Sequence, residues 1–178
     1  MTTTNWSTLT PTLASANIPK GVGTYIIGQD TTGLGLRPFR YSYDKTNVNN
    51  LVTYGGVQNS AVFSIPHGTG SIWATMLWDM TWEIILQDGV IGANSIYDVP
   101  ANIADYRGNV AAMKLVNEGL RLQPCSPSFV QARDAIFRAD QLLFNGRYRC
   151  AIGKAFARRG LGFLASSGVS TNDRRVTE

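Results

Sequence analysis

Histidine is all but missing from this sequence, and cysteine is scarce. His67 is the single histidine of 178 residues, and Cys125 and Cys150 are the only thiols. A zinc site gathers three or four His, Cys, Asp or Glu ligands, and its catalytic version keeps one position open. One imidazole and two cysteines far apart in sequence give no plausible complete site. HExxH, CxxC and GxxxxGK[ST] are absent, which removes the zincin, redox and P-loop readings. The glycines of "TTGLGLRP" (31–38) follow no strong strand and open no helix, so a phosphate loop is excluded there. No nucleophile elbow supports a Ser–His–Asp triad. Nor does any run approach the roughly 18 apolar residues that a bilayer span requires. The opening "MTTTNWSTLTPTLASA" lacks the basic start and apolar h-region of a signal peptide.

Charge is also thin, at 16% of residues, while apolar residues make up 44%. That balance is globular rather than disordered, and the length suits one domain with a real core. The net charge of +4 is uneven: residues 1–100 hold four Lys/Arg against six Asp/Glu, and residues 101–178 hold twelve against six. A basic half can mean nucleic acid. Here Arg121, Arg133, Arg138, Arg147, Arg149, Arg158 and Arg159 are scattered among acids, with no recognition-helix or aromatic-interleaved motif, so they are read as solvated helix faces. Neither nucleic acid nor membrane is expected as a partner.

The period of the apolar residues predicts a mainly α fold behind a short β or irregular N-terminal segment. "GVGTYIIG" (21–28) has the look of a short β-type run between glycines, and "LRPFRYSYDKTNVNNLVTYGG" (36–56) reads as loop. A long irregular segment in a compact domain often carries binding groups. Ile72, Trp73, Met76, Leu77, Met80 and Ile84 then recur at three- and four-residue steps, predicting a long amphipathic helix that stops at "QDG". A second helix is expected from about Asn109 to Arg121, with Met113, Val116 and Leu120 on one face. Ser126 and Pro127 form an N-cap and first-turn pair for a third, carrying Phe129, Ile136, Phe137 and Leu143 and ending at "FNG". A fourth runs from about Arg149 to Arg158 and stops at Gly160. The domain organisation follows: a polar N-terminal segment (1–20), a helical body (21–165) and a flexible tail (166–178).

Two features stay open on the residues alone. His67 sits at the opening of the first long helix, where it either hydrogen-bonds locally or is held beside a cleft as a donor to a developing oxyanion. Cys125 and Cys150 flank one predicted helix. They are either two buried free thiols or a disulfide closing a loop of some two dozen residues, which would stabilise by about 3 kcal/mol.

Three blocks carry a resemblance: "LRPFRYSYD…NNLVTYGG", "PHGTGSIWATMLWDMTW" and "LQPCSPSFVQARDAIFRADQLLFNGRYRCAIGKAFARRGLG". In this order they resemble the C-terminal part of the catalytic domain of the fungalysin family, secreted zinc metallopeptidases distantly related to thermolysin. The similarity runs from about residue 20 to residue 165, and its last block is the most specific. It implies the helical C-terminal lobe of a thermolysin-like metalloendopeptidase that hydrolyses internal peptide bonds of proteins. In the family two histidines of an HExxH helix and a glutamate of a "GEGWSD" block hold zinc. Neither block occurs here, so the chain is expected to be the piece that follows the zinc-binding half. Alone, it is expected to bind no zinc and to be inactive.

The site residues implied are correspondingly few. His67, in "PHGTGSIW", is similar to the histidine that hydrogen-bonds the tetrahedral intermediate in such enzymes. Arg37, in "LRPFRYS" with the Ser–x–Asp pattern that reaches Asp44, resembles the arginine that binds a substrate carbonyl; its fork of donors suits that task. The resemblance also implies a secreted, extracellular location and favours the Cys125–Cys150 disulfide. The partners it implies are a protein or peptide substrate and the missing zinc-binding half. The alternative is a stand-alone, non-catalytic helical domain that binds peptides or proteins.

Overall fold

A computed structural model describes residues 11–48, 52–89, 99–167 and 176–177. Residues 1–10 of the polar opening segment, part of the 36–56 loop and most of the expected tail lie outside them. A one-turn helix α1 (Leu13–Ala16) is capped by Thr12, whose Oγ1 accepts from the Ser15 N–H at 3.2 Å. Four longer helices follow: α2 (His67–Asp88), α3 (Gly108–Leu122), α4 (Phe129–Phe144) and α5 (Arg149–Arg158). The mainly α reading stands, and the described residues contain only isolated β-bridges in place of a sheet.

The opening segment is irregular rather than β. Within "GVGTYIIG", Tyr25–Ile27 form a single 3-10 turn closed by Gly28 at φ 69°. Glycines at both ends bend the chain before a ladder can form, and Tyr25 and Ile26 are left exposed. Two backbone bonds of 2.8 Å between Lys20 and Tyr41, and one from the Leu36 N–H to the Val22 carbonyl, hold this segment against the next.

α2 is the axis of the fold. It packs on α3 and α5, and α3 packs in turn on α4. Ile72, Met76, Met80 and Ile84 are fully buried on one face, against Ala111, Ala112 and Leu115 of α3 and Ile152, Ala155 and Phe156 of α5. The helix is not amphipathic as its spacing suggested, because its far side is covered too. Trp82 and Ile85 meet Ala16 and Tyr43 of the opening segment in a second apolar cluster. A helix enclosed on all sides is buried whatever its periodicity. It ends at Gly89, whose φ of 79° and ψ of −164° are comfortable only for glycine.

α4 begins two residues later than expected. Ser128, not Ser126, is its N-cap and forms a capping box with Gln131: Ser128 Oγ accepts from the Gln131 N–H, and Gln131 Oε1 accepts from the Ser128 N–H at 2.9 Å. Ser126 is instead held at φ 51° in the preceding turn. At the other end Asn145 takes the left-handed conformation, φ 52°, that stops the helix. The close of the expected tail returns to the body: Val176 is buried and Thr177 bridges Ser166.

The solvated reading of the arginines fails at two positions. Arg159 is fully buried and Arg133 nearly so. Arg133 donates to the Leu161 carbonyl at 3.3 Å and also to the Gly162 carbonyl, securing the turn after α5. The Cys125–Cys150 disulfide does not form in this structure, where both cysteines are exposed free thiols. The 16 residues of α4 rise about 24 Å and place Cys125, before its start, and Cys150, beyond its end, at opposite ends of one helix. A disulfide needs Cα atoms within about 7 Å.

Candidate functional site

His67 is the first residue of α2 and is exposed. Its place is set by Gly68, which is buried with the Phe63 backbone lying directly on it: a Cβ at Gly68 would sit 2.5 Å from Phe63 Cα. The Gly68 N–H donates to the Ser64 carbonyl at 2.7 Å, and the Gly70 N–H to the Pro66 carbonyl at 2.9 Å. The N-cap is Pro66, so no side chain caps this helix. Thr69 Oγ1 also donates to the Pro66 carbonyl at 3.1 Å and Ser71 Oγ to the Gly68 carbonyl at 2.6 Å, so backbone and side-chain contacts together pin the turn that carries the exposed imidazole.

Arg37 lies in the irregular segment and is half-buried. Burial pushes the Tyr41 phenol up from its ordinary value, and the positive charge of Arg37 draws it back down. The segments bearing Arg37 and His67 meet through Phe39 and Phe63, whose rings stand 6.0 Å apart. Asp44 accepts from the Thr46 N–H and hydroxyl at 2.9 and 2.8 Å, which holds its carboxyl below the usual range. It therefore closes its own turn. Beside the first turns of α2, Pro66, Thr69, Gly70 and Trp73 line a mostly apolar groove of about 300 Å³, bounded across by Phe129 of α4. Trp73 and Phe129 pack edge to face at 5.6 Å.

The residues missed from sequence form a buried polar row along α2. Ser71 and Thr75 donate to carbonyls of their own helix. Asp79 is fully buried; Arg159 Nε reaches its Oδ2 at 2.7 Å and Nη2 its Oδ1 at 3.2 Å, with Arg158 Nε at 3.4 Å. Burial pushes the Asp79 carboxyl up to about 6, against the opposing pull of Arg159 and Arg158. Glu83 accepts from the Tyr43 hydroxyl and, at 3.0 Å, from Lys154 Nζ. A polar residue at every fourth position of an otherwise apolar helix was the available signal, since such a row shares one face. At the helix end the Tyr148 hydroxyl donates to Asp88 at 2.7 Å, which together with burial raises its pKa well above the ordinary phenol value.

No three His, Cys, Asp or Glu side chains converge among the described residues. The residues described here therefore do not fit a zinc centre, and no catalytic step through a metal is derived from them. No helix among them is long and apolar enough to cross a membrane.

Comparison with known proteins places this arrangement. The family model for fungalysin metallopeptidase (M36) matches residues 2–165. Extracellular metalloproteinase 3 of Arthroderma otae is 43% identical over 151 residues, covering 85% of this chain and 20% of that protein. Extracellular metalloproteinase 2 of Arthroderma gypseum is 46% identical over 129 residues, covering 72% of this chain and 19% of the relative. For extracellular metalloproteinase 3 of Trichophyton tonsurans the figures are 41% over 152 residues, 85% and 20%. The chain thus spans about a fifth of the length of these curated relatives. The match across nearly all of a helical body with His67 at the opening of its central helix leaves one assignment: the chain belongs to the fungalysin metallopeptidase family.

Proposed function

We propose that this chain is the substrate-facing helical lobe of a secreted zinc metalloendopeptidase. The observation that carries the proposal is the setting of His67: an exposed imidazole on the first residue of α2, fixed by the Gly68–Phe63 contact, in a chain matched by the family over residues 2–165. In the complete enzyme the metal would activate water and would be held by residues outside those described. His67 donates a hydrogen bond to the oxygen that gains charge as the peptide carbonyl is attacked. A donor fixed before the reaction costs no reorganisation at that moment, and losing one lowers the rate about 10²–10³-fold. Arg37 binds a substrate carbonyl through its fork of donors, orienting the peptide against the attacked bond. The backbone pairing of Tyr41 with Lys20 and the Phe39–Phe63 contact support its segment.

In a full-length peptidase carrying this segment, His67→Ala should lower kcat by about 10²–10³. Because His67 is exposed, the thermal midpoint should stay nearly unchanged. A kcat unaltered by the substitution overturns the assignment. The 178-residue chain alone should neither retain one zinc per chain on elemental analysis nor cut casein. Finding both would place the metal on residues read here as structural. Peptide binding without cleavage, undiminished by loss of His67, would favour a stand-alone binding domain.

A further inference from the structure

We propose that Arg159 is a positioning residue: it fixes the irregular segment that carries Arg37, and so sets where that guanidinium meets a bound peptide. The inference rests on the substrate-binding role of Arg37 proposed above.

The segment from Leu36 to Gln58 has no strand and nothing longer than single 3-10 turns among its described residues. Backbone groups without a ladder must find partners elsewhere, and Arg159 supplies several. From full burial its Nη2 donates to the Ser42 carbonyl at 2.8 Å and its Nη1 to the Val52 carbonyl at 3.4 Å. Its own carbonyl accepts from the Tyr54 N–H at 2.7 Å. One residue therefore closes the neck of the excursion between Ser42 and Val52. Arg158 reinforces the near side: it donates to the Tyr43 carbonyl and lies 4.1 Å over the Tyr43 ring.

Both arginines lean on Asp79, about three turns beyond His67 on α2. The chain leading back from Ser42 to Arg37 hangs from the same helix that His67 opens. The two groups proposed to meet the peptide thereby share one frame. A buried charge cluster is a poor source of net stability, since desolvation offsets most of its attraction. Its use here is geometric. Lysine cannot reproduce it, because one ammonium lacks the planar fork that reaches Asp79 and two carbonyls together.

The test is a double-mutant cycle in the full-length peptidase, with kcat/KM measured on a peptide substrate and thermal midpoints recorded for every variant. Arg159→Lys should lower kcat/KM about 10-fold or more, since a misplacement near 1 Å can cost about 10²-fold. In an Arg37→Ala background it should cause no further loss, and in a His67→Ala background the full loss should remain. Equal losses in all backgrounds would mean a general structural effect and overturn the inference. If Arg37→Ala alone leaves kcat/KM unchanged, the role of Arg37 fails and this inference fails with it. A loss from Arg37→Ala that simply adds to that from Arg159→Lys removes only the inference. Should Arg159→Lys fail to fold, Asp79→Asn, which frees the same guanidinium, goes through the same cycle with the same expectation.

Discussion

Asp79 gives a prediction whose sign can be worked through. Its carboxyl is fully buried, and burial raises it to about 6 from an ordinary value of 3.8. The folded chain therefore keeps this proton up to about pH 6, while the unfolded chain releases it near 3.8. Between those values the folded state binds more protons, so stability must fall as pH rises. The contribution is fully present below 3.8 and is lost as pH climbs through 6. At about 1.4 kcal/mol per pH unit, the interval amounts to about 3 kcal/mol. Asp79→Asn keeps the shape and removes the titration. Urea unfolding of both proteins at pH 4, 5, 6 and 7 can be followed by tryptophan fluorescence, because Trp82 is buried on the same helix. The stability of the native sequence minus that of Asp79→Asn should drop by about 2 kcal/mol from pH 4 to 7, the rest of the change lying outside that range, whatever offset separates the proteins at any one pH. A difference that grows with pH would contradict a carboxyl raised by burial. It would mean that Arg159 and Arg158 hold the carboxyl ionised below its ordinary range.

Other expectations follow from single contacts. Gly68→Ala would press a methyl group onto the Phe63 backbone, and should cost about 1–3 kcal/mol in urea unfolding; an unchanged midpoint would contradict the close approach. Ser128→Ala removes one half of the α4 capping box and should cost about 1 kcal/mol, seen as a lower thermal midpoint, whereas Ser126→Ala should do much less. Thiol titration of native protein prepared without reductant should find both Cys125 and Cys150 reactive; no reactive thiol, with an intact mass lighter by two hydrogen atoms, would restore the disulfide.

Much of the helical body was legible because its apolar residues recur with the period of a helix and its ends carry strong signals. α3 and α5 lie within a residue of expectation, and Asn145 stops α4 where "FNG" suggested. The start of α4 was harder, since Ser126 and Ser128 are both competent caps and only Ser128 has Gln131 three residues on. "GVGTYIIG" misled because its composition suits a strand while its glycines turn the chain. His67 drew notice as the lone histidine at a helix opening, but the residues alone left its role open, because an isolated histidine carries no spacing to read; only the resemblance gave it a specific role. Least legible were Asp79 and Arg159. They lie 80 residues apart, and nothing local announces that a carboxylate and a guanidinium will be enclosed together.

The enclosure of α2 bears on how variation in relatives should be weighed. From Ser71 to Ile85 no residue of that helix is exposed. An aligned set of homologues should therefore show these positions as one unbroken block of restraint, without the three- or four-residue rhythm of a surface helix. Constancy inside the block would testify only to fit among neighbours, even at polar positions such as Asp79. Constancy at His67, where water is the neighbour, has no such explanation and would speak for chemistry.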